Sequence, residues 1–492
     1  MMYGISSTAW LKQNILFALE EETQFISSRE LTQIVGDYSQ STIKKICREL
    51  QEEIEQTYPT DISTLIIDQR NGIKLTRQSS INYQKLLASI FSAELGYELL
   101  QQLLLKRSIS TVAFCNSHYI SESQLRRKIK DINASLKKHN IHITLSNDIT
   151  ISGEEYKLRS FFFVFLFTVH RQFSFISWAK NKSTVIQLSE QIASQLAIEA
   201  DSRTIEIIAL WVFITISAMK YGWTLTYTEQ EQQILESFTM PKRPAFLTDW
   251  KDEDWQLFVM AIYSSDIIDF HLQVNLASLE QVLPLQDAEI WIELFEEKFL
   301  PLTDIQQEFV YKKFVKQLLA NYFFEPDENS LNNFTKRYSE ELKTLYPILF
   351  DKYNSLWKTF LQKTSETSYE YFQIESLLLC FYLVPRKIFF PRIKIFIRSD
   401  LTFLYTKHIE FRVSTRFCDQ YFIEFTTDIH QADIILSTAA LKEMDDYVSN
   451  FNNLVPIILI NSKISENDFA KIEDALIQLT STLLIETKKT AI

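Results

Sequence analysis

Glycine is nearly absent: 6 residues in 492, where an average chain holds about 7%. They are Gly4, Gly36, Gly72, Gly96, Gly153 and Gly222, and no two stand close enough for a GxGxxG turn or a GxxxxGK[ST] phosphate loop. Nucleotide-binding enzymes of those two types are thereby excluded. Proline, at 10, is also scarce, and the 4 cysteines (Cys47, Cys115, Cys380, Cys418) form no CxxC pair, zinc spacing or disulfide framework. The start, MMYGISSTAWLKQ, has neither the basic nor the apolar region of a secretory signal. The two most apolar runs, Phe161 to Val169 and Ile207 to Met219, end before the 18 or so residues of a spanning helix. The expectation is a cytoplasmic protein with both runs as buried helices, no membrane contact, no cofactor and no metal. What is abundant is ordinary: 46% hydrophobic, 13% aromatic and 23% charged residues describe a chain that folds, with a length suited to roughly three domains.

Charge is unevenly spread. The whole chain carries −12, yet residues 1–153 hold 17 Lys and Arg against 16 Asp and Glu, and the remainder holds 33 against 46. Only the N-terminal part can approach phosphate without general repulsion. Its cations gather in two segments: Lys44, Lys45 and Arg48, then Arg126, Arg127, Lys128, Lys130, Lys137 and Lys138. A charge run by itself is most often a solvated helix face.

The two segments are one pattern written twice. At an offset of 82, Ser39 to Leu50 and Ser121 to Ile132 share S-x-S-x-[IL]-[KR]-[KR]-x-x-[RK]-[ED]-[LI]. Each opens on a serine able to cap a helix and sets apolar residues at i, i+4 and i+7: Ile43, Cys47, Leu50 and Leu125, Ile129, Ile132. A shorter helix is predicted before each, Arg29 to Val35 after the capping-box pattern Ser27-x-x-Glu30, and Thr111 to Cys115 after Ser110, in registers that differ by about one residue. A hairpin is predicted after each: Ile62 to Asp68 and Ile73 to Thr76 around Asn71-Gly72, then Ile141 to Leu145 and Ile149 to Ile151 around Ser146-Asn147-Asp148.

Short helix, turn, basic helix and two-stranded wing is the winged helix-turn-helix plan, in which the second helix enters the major groove of double-stranded DNA. The expected DNA-binding residues are Ser39, Ser41, Thr42, Lys44, Lys45 and Arg48 with Arg70 and Lys74 of the first wing, and Ser121, Ser123, Gln124, Arg126, Arg127 and Lys130. Gln124 suits adenine, and the arginines suit guanine or phosphate.

Beyond Tyr156 the chain reads as helix after helix to about Leu383, with joints at Pro241 to Asp252, Ser264 to Gln286, Glu325 to Asn329 and Lys363 to Ser368. After Pro391 strands alternate with helices: Ile393 to Ile397, Tyr421 to Phe425, Ala432 to Leu436 and Val455 to Ile460, then a helix from Ser465 to Thr480. That order indicates a small α/β domain with a mostly parallel sheet. The expected fold class is mostly α and multidomain, with domains at 1–78, 79–154, 155–265, 266–388 and 389–492.

This order of parts resembles the Mga-type virulence regulators of Gram-positive bacteria, a group that includes the anthrax toxin activator. The resemblance spans essentially the whole chain and is most specific over Tyr119-Ile-Ser-Glu-Ser-Gln-Leu-Arg-Arg-Lys-Ile-Lys-Asp-Ile-Asn133. It implies tandem winged helices, a middle like two phosphotransferase-system regulatory domains, and an end like an EIIB sugar-transporter component. It also implies a non-enzymatic transcription activator of virulence or carbon-metabolism genes, working as a homodimer or larger oligomer, with the phosphocarrier HPr as a partner. Control by phosphohistidine would fall on His170 or His271, the two histidines of the middle. A working EIIB carries phosphate on a cysteine after its first strand, whereas the loop here reads Arg398-Ser-Asp-Leu-Thr402. An RNA-binding antiterminator with such regulatory domains and an EIIB phosphotransfer component are the alternative readings.

Overall fold

The structure is a computed structural model that describes residues 4–36, 38–324, 342, 343, 345–364, 369, 372–385, 388, 390–418, 420–439 and 455–490. The chain forms two compact units, Met1–Gln286 with Lys312–Asn332, and Asp287–Tyr311 with Asn333–Ile492. Helix predominates. The expected boundary near 265 falls inside the first unit, and the expected joint at Glu325 to Asn329 lies outside the described residues.

The repeat read from the sequence is present in three dimensions. Its first module comprises α1 (Ser7–Glu20), α2 (Ser28–Val35), α3 (Gln40–Thr57) and the antiparallel hairpin β1 (Ser63–Asp68) and β2 (Gly72–Arg77). After α4 (Gln84–Ser92), the second comprises α5 (Leu95–Lys106), β3 (Ser108–Ser110), α6 (Thr111–His118), α7 (Glu122–Leu136), β4 (His142–Leu145) and β5 (Asp148–Ser152). The strand β3 pairs with β5, and in the first module Ile26 makes the equivalent bridge to Ile73 with hydrogen bonds of 2.9 and 2.8 Å. Ile26 and Ile109 are thus 83 residues apart, while the caps of α3 and α7 are 82 apart. The slipped register has a simple cause. Three residues separate α2 from the cap Ser39, and two separate α6 from Ser121.

Both serine caps form as the sequence requires. Ser39 Oγ accepts from the Thr42 N–H at 3.2 Å, and Ser121 Oγ from the Gln124 N–H at 3.3 Å. Below them Ile43, Cys47 and Leu50, and Leu125, Ile129 and Ile132, are all buried. Each such aliphatic side chain stabilises by roughly 1.5–3 kcal/mol relative to leaving it in water. Burial also pushes the Cys47 thiol up to about 12, so it sits as a small neutral core group.

The two modules are pinned together by the start of the chain. Gly4 lies so close to α5 that a Cβ at Gly96 would fall 2.4 Å from the Gly4 carbonyl oxygen, and a Cβ at Gly4 would fall 2.8 Å from Ile132 of α7. A side chain at either position would collide. Ser6 donates from N and Oγ to Glu94 (3.2 and 2.7 Å), and Lys128 Nζ of α7 donates to the Gly4 carbonyl (3.1 Å). Lys12 of α1 in turn holds Glu49 and Glu53 of α3 at 3.1 and 2.7 Å.

The rest of the first unit is helical: α8 (Glu155–His170), α9 (Lys182–Gln195), α10 (Ser202–Met219), α11 (Glu229–Glu236), α12 (Asp252–Ser264) and the one-turn α13 (Leu276–Leu279). Of the described helices, α10 alone is long and apolar enough to cross a membrane, and 61% of it is buried inside the unit, packed against α8 and α9. The joint between α5 and α8 is charged and largely buried. Arg159 is fully buried, donating from Nε to Glu155 (2.9 Å), from Nη1 to Asp254 (2.6 Å) and from Nη2 to the Trp223 carbonyl (3.1 Å). Arg107, at the end of α5, donates to the same Glu155 at 3.1 Å while its guanidinium lies over the rings of Trp223 and Phe162.

The second unit contains α14 (Gln286–Lys298), the first part of α15 (Asp304–Phe324), α16 (Pro347–Lys363) and α17 (Phe372–Leu383). Trp291 Nε1 donates to Ser376 Oγ (2.8 Å) and the Tyr369 hydroxyl to Asp287 (2.7 Å), which gives buried polar groups their partners. Then come β6 (Arg392–Arg398), α18 (Phe403–Phe417), β7 (Phe422–Phe425), β8 (Ile434–Ser437), β9 (Ile457–Leu459) and α19 (Glu466–Thr490). The four strands lie in the order β7-β6-β8-β9 and every pair is parallel. Ile393 and Ile395 of β6 face a core shared with Ile409, Val413, Ile472 and Leu476, whereas Phe396 packs on the other side with Ile435 and Ile457. A parallel sheet needs such two-sided burial.

Candidate nucleic-acid interface

The N-terminal halves of α3 and α7 present the same chemistry in the same order. Hydroxyls occupy the cap and first turn, Ser39, Ser41 and Thr42 in one and Ser121 and Ser123 in the other. The Oγ atoms of Ser39 and Ser41 lie 2.7 Å apart, and those of Ser121 and Ser123 2.9 Å. The second turn brings the cations. Lys44, Lys45 and Arg48 are exposed on α3, and Arg126, Arg127 and Lys130 on α7. Unpaired first-turn N–H groups and the positive end of the helix dipole make this end of a helix attractive to phosphate.

Few of these cations are engaged. Lys45 faces Glu49 at 3.8 Å and Arg126 faces Glu122 at 2.7 Å, both exposed pairs of the i,i+4 kind, which contribute only about 0.3–0.5 kcal/mol and are readily exchanged for a phosphate. Among the described residues Lys44, Arg48, Arg127 and Lys130 have no ion-pair partner. Lys128, by contrast, spends its ammonium on the Gly4 carbonyl and belongs to the module junction.

Gln124 is held in a capping box, its Oε1 accepting from the Ser121 N–H at 2.9 Å and from Ser121 Oγ at 3.1 Å. Reading adenine with that side chain would mean giving up the box. On the first hairpin Arg70 is exposed at the turn, where Asp68 Oδ1 accepts from the N–H groups of Arg70 and Asn71 at 2.8 and 2.7 Å. Lys74 is half-buried, its ammonium 5.7 Å from the centre of the Phe25 ring. The turn depends on Gly72: its φ of +106° favours glycine, and a Cβ there would lie 2.3 Å from the Ile26 carbonyl.

The sequence pattern did not single out Tyr119. It stands between α6 and α7 in the left-handed region (φ 53°, ψ 40°) with 96% of its surface exposed. Hydrophobic periodicity carries no sign of such a residue; only its place beside Gly36 in the repeat points to it.

The histidines are placed differently from one another. His170 closes α8, is buried, and has Nε2 2.6 Å from the Tyr97 hydroxyl, which accepts from Trp178 Nε1 at 2.8 Å. Burial, with Lys182 nearby, lowers its pKa to about 4, so it is neutral at ordinary pH. His271 is exposed in the segment after α12, with Asp269 3.3 Å from its Nε2. His139 is buried and His142 exposed, and among the described residues no three His, Cys, Asp or Glu gather as a metal site. In the second unit the loop after β6 carries Ser399, whose Oγ accepts from the Leu401 N–H at 3.0 Å. Cys418 caps the opposite end of α18, about 22 Å of helix away.

Residues 79–166 match the family model described as the Mga helix-turn-helix domain, a segment that holds all of the second module and the first three-quarters of α8. No curated protein matches the chain. The chain carries a helix-turn-helix domain of the DNA-binding kind, and the match supports its place among the Mga-type transcription regulators.

Proposed function

We propose that the chain is a transcription activator that grips duplex DNA with two winged helix-turn-helix modules, α3 and α7 being the two recognition helices. The observation that supports this best is the repetition itself: one chain builds the same serine cap, hydroxyl-bearing first turn, exposed cationic second turn and antiparallel hairpin twice. A structural helix needs the buried stripe but not the exposed cations. The fixed junction through Gly4 and Gly96 would present both helices as one body to one duplex. Two copies of the chain would further multiply a modest site affinity through effective concentration, so a homodimer or larger oligomer is part of the reading.

The helical segments beyond α8 we read as the two phosphotransferase-like regulatory domains that the resemblance implies, and the parallel sheet as the EIIB-like domain. Of the two histidines that a phosphocarrier such as HPr would address under this reading, His271 is accessible and His170 is enclosed. The sheet domain, with Ser399 in place of a thiolate, would serve as an interaction surface rather than a phosphate carrier.

Titrating the full chain with duplex DNA, duplex RNA and single strands between 50 and 200 mM salt tests the reading. Duplex DNA is expected to bind tightest, with affinity falling steeply as salt rises because phosphate contacts release counterions. Preference for duplex RNA would favour the antiterminator reading instead, and equal weak binding to all would remove both.

A further inference from the structure

The two modules solve the same turn in different ways, and the difference points to a ligand contact. In the first, α2 ends on Gly36 with φ +74°, a conformation in which glycine meets no steric penalty. In the second, α6 ends on Tyr119 with φ +53°. An L-residue with a bulky side chain adopts that region only at a cost, because its Cβ crowds the following carbonyl. Space is not what selects glycine in the first module: a Cβ at Gly36 would meet nothing within 4 Å. Glycine suits the backbone there, and at Tyr119 the backbone would be easier with glycine too.

The turn serves the end of α6, where the Ile120 N–H reaches the Cys115 carbonyl at 3.1 Å, but the tyrosine side chain gets nothing from the fold. Tyr119 is 96% exposed, and among the described residues its ring and hydroxyl touch no hydrogen-bond or aromatic partner. A positive φ ends α5 and α8 too, at Arg107 and Arg171, so the turn belongs to the fold; a large aromatic side chain with no hydrogen-bond or ring partner inside it is the part whose use lies outside. Its position says what that use is. Two residues further on is the cap of α7, followed by exposed Ser123, Arg126, Arg127 and Lys130. The partner of that surface is a polyanion, and in the reading above it is duplex DNA.

We propose that Tyr119 is a duplex contact of the second module, its ring lying against a deoxyribose and its hydroxyl donating to a backbone phosphate beside the recognition helix. The inference rests on the assignment of α7 as a recognition helix. A tyrosine is neutral, so it displaces no counterion; its contribution is the same at every salt concentration, unlike that of an arginine. It positions the helix on the backbone and adds affinity for any sequence equally.

Tyr119→Gly, Tyr119→Phe and the double variant Arg126→Ala with Arg127→Ala, each in the full chain, separate the possibilities through a salt series with duplex DNA and a thermal melt. Tyr119→Gly should melt at or above the wild-type temperature, since glycine relieves the strain, yet bind about tenfold more weakly at every salt concentration, with an unchanged slope. Tyr119→Phe keeps the ring and loses the hydroxyl, and should bind about threefold more weakly. The arginine variant should lose both affinity and slope. If both tyrosine variants bind like wild type while the arginine variant is weakened, Tyr119 is not a contact and the recognition-helix assignment stands. If the arginine variant also binds like wild type, the assignment itself falls and the inference with it. A Tyr119→Gly chain that melts earlier than wild type would contradict the strain argument, and Tyr119→Phe, which leaves the backbone alone, still reads the hydroxyl contact.

Discussion

Alanine at both Arg126 and Arg127 is expected to weaken duplex binding on the order of 30-fold at 0.15 M salt and to lower the salt slope by about two, since each phosphate contact releases about 0.9 of a counterion. Lys44→Ala with Lys45→Ala should cost less. The reason lies in the two helices' surroundings. Lys45 already shares its charge with Glu49, and the remainder of α3 carries Glu52, Glu53 and Glu55, whereas after Glu122 the only acid on α7 is Asp131. Arg126 does pair with Glu122, but that exposed pair is weak enough to yield to a phosphate. All four cations are exposed, so neither double variant removes a core contact, and melting temperature should stay near wild type in both. Folded double variants that bind with wild-type affinity and slope would mean that neither helix meets phosphate.

The second large effect is on stability. Arg159→Ala should destabilise the first compact unit by about 3–5 kcal/mol, because it leaves the buried Asp254 carboxylate without its cation, with the Lys251 N–H its remaining donor, and halves the partners of Glu155 in a largely buried site. That is a large fraction of the stability an ordinary domain possesses. Hydrogen exchange of the α8 amides in urea is the appropriate readout, since a chain of this length need not unfold in one step. Arg159→Met with Asp254→Leu, which removes the charges together, should recover much of the loss. Equal losses in the single and double variants would show that the site is held by packing rather than by charge. Arg107 shares Glu155, and its carbonyl accepts from the Ile151 N–H of the second hairpin (3.0 Å), so loosening α8 should also speed exchange in β5.

The parts of the DNA-facing region that could be read in the sequence are those written locally. A serine cap, a capping box, a 3.6-residue apolar stripe and an Asn-Gly turn all act within a few residues, and the hairpins and the helices α2, α3, α6 and α7 follow from them. The slip of one residue upstream is visible too, although its cause, a turn shortened from three residues to two, depends on where α2 and α6 end in the fold. The strands of the terminal domain were legible because their apolar runs are short and bounded.

What the sequence hid depends on distant partners. Gly96 argues locally against a helix, yet it sits inside α5 because Gly4 passes within contact distance, 92 residues away in the chain. Lys128 reads as one more surface cation, while its ammonium is bound to that same Gly4 carbonyl. The helix α18 is obscured by its exposed Phe403, Leu404, Tyr405 and Phe411, which blur the contrast between an apolar and a polar face. Tyr119 is a backbone conformation before it is a side chain, and no periodicity registers it.

The most direct measurement of the central claim is amide hydrogen exchange of the full chain with and without saturating duplex DNA. The first-turn amides of a helix lack intrahelical acceptors and exchange readily unless something binds there. On this account residues 39–48 and 119–130 become protected together when duplex is added, and protection fades as salt rises. Protection confined to the second compact unit, or to α3 or α7 alone at saturation, would contradict it.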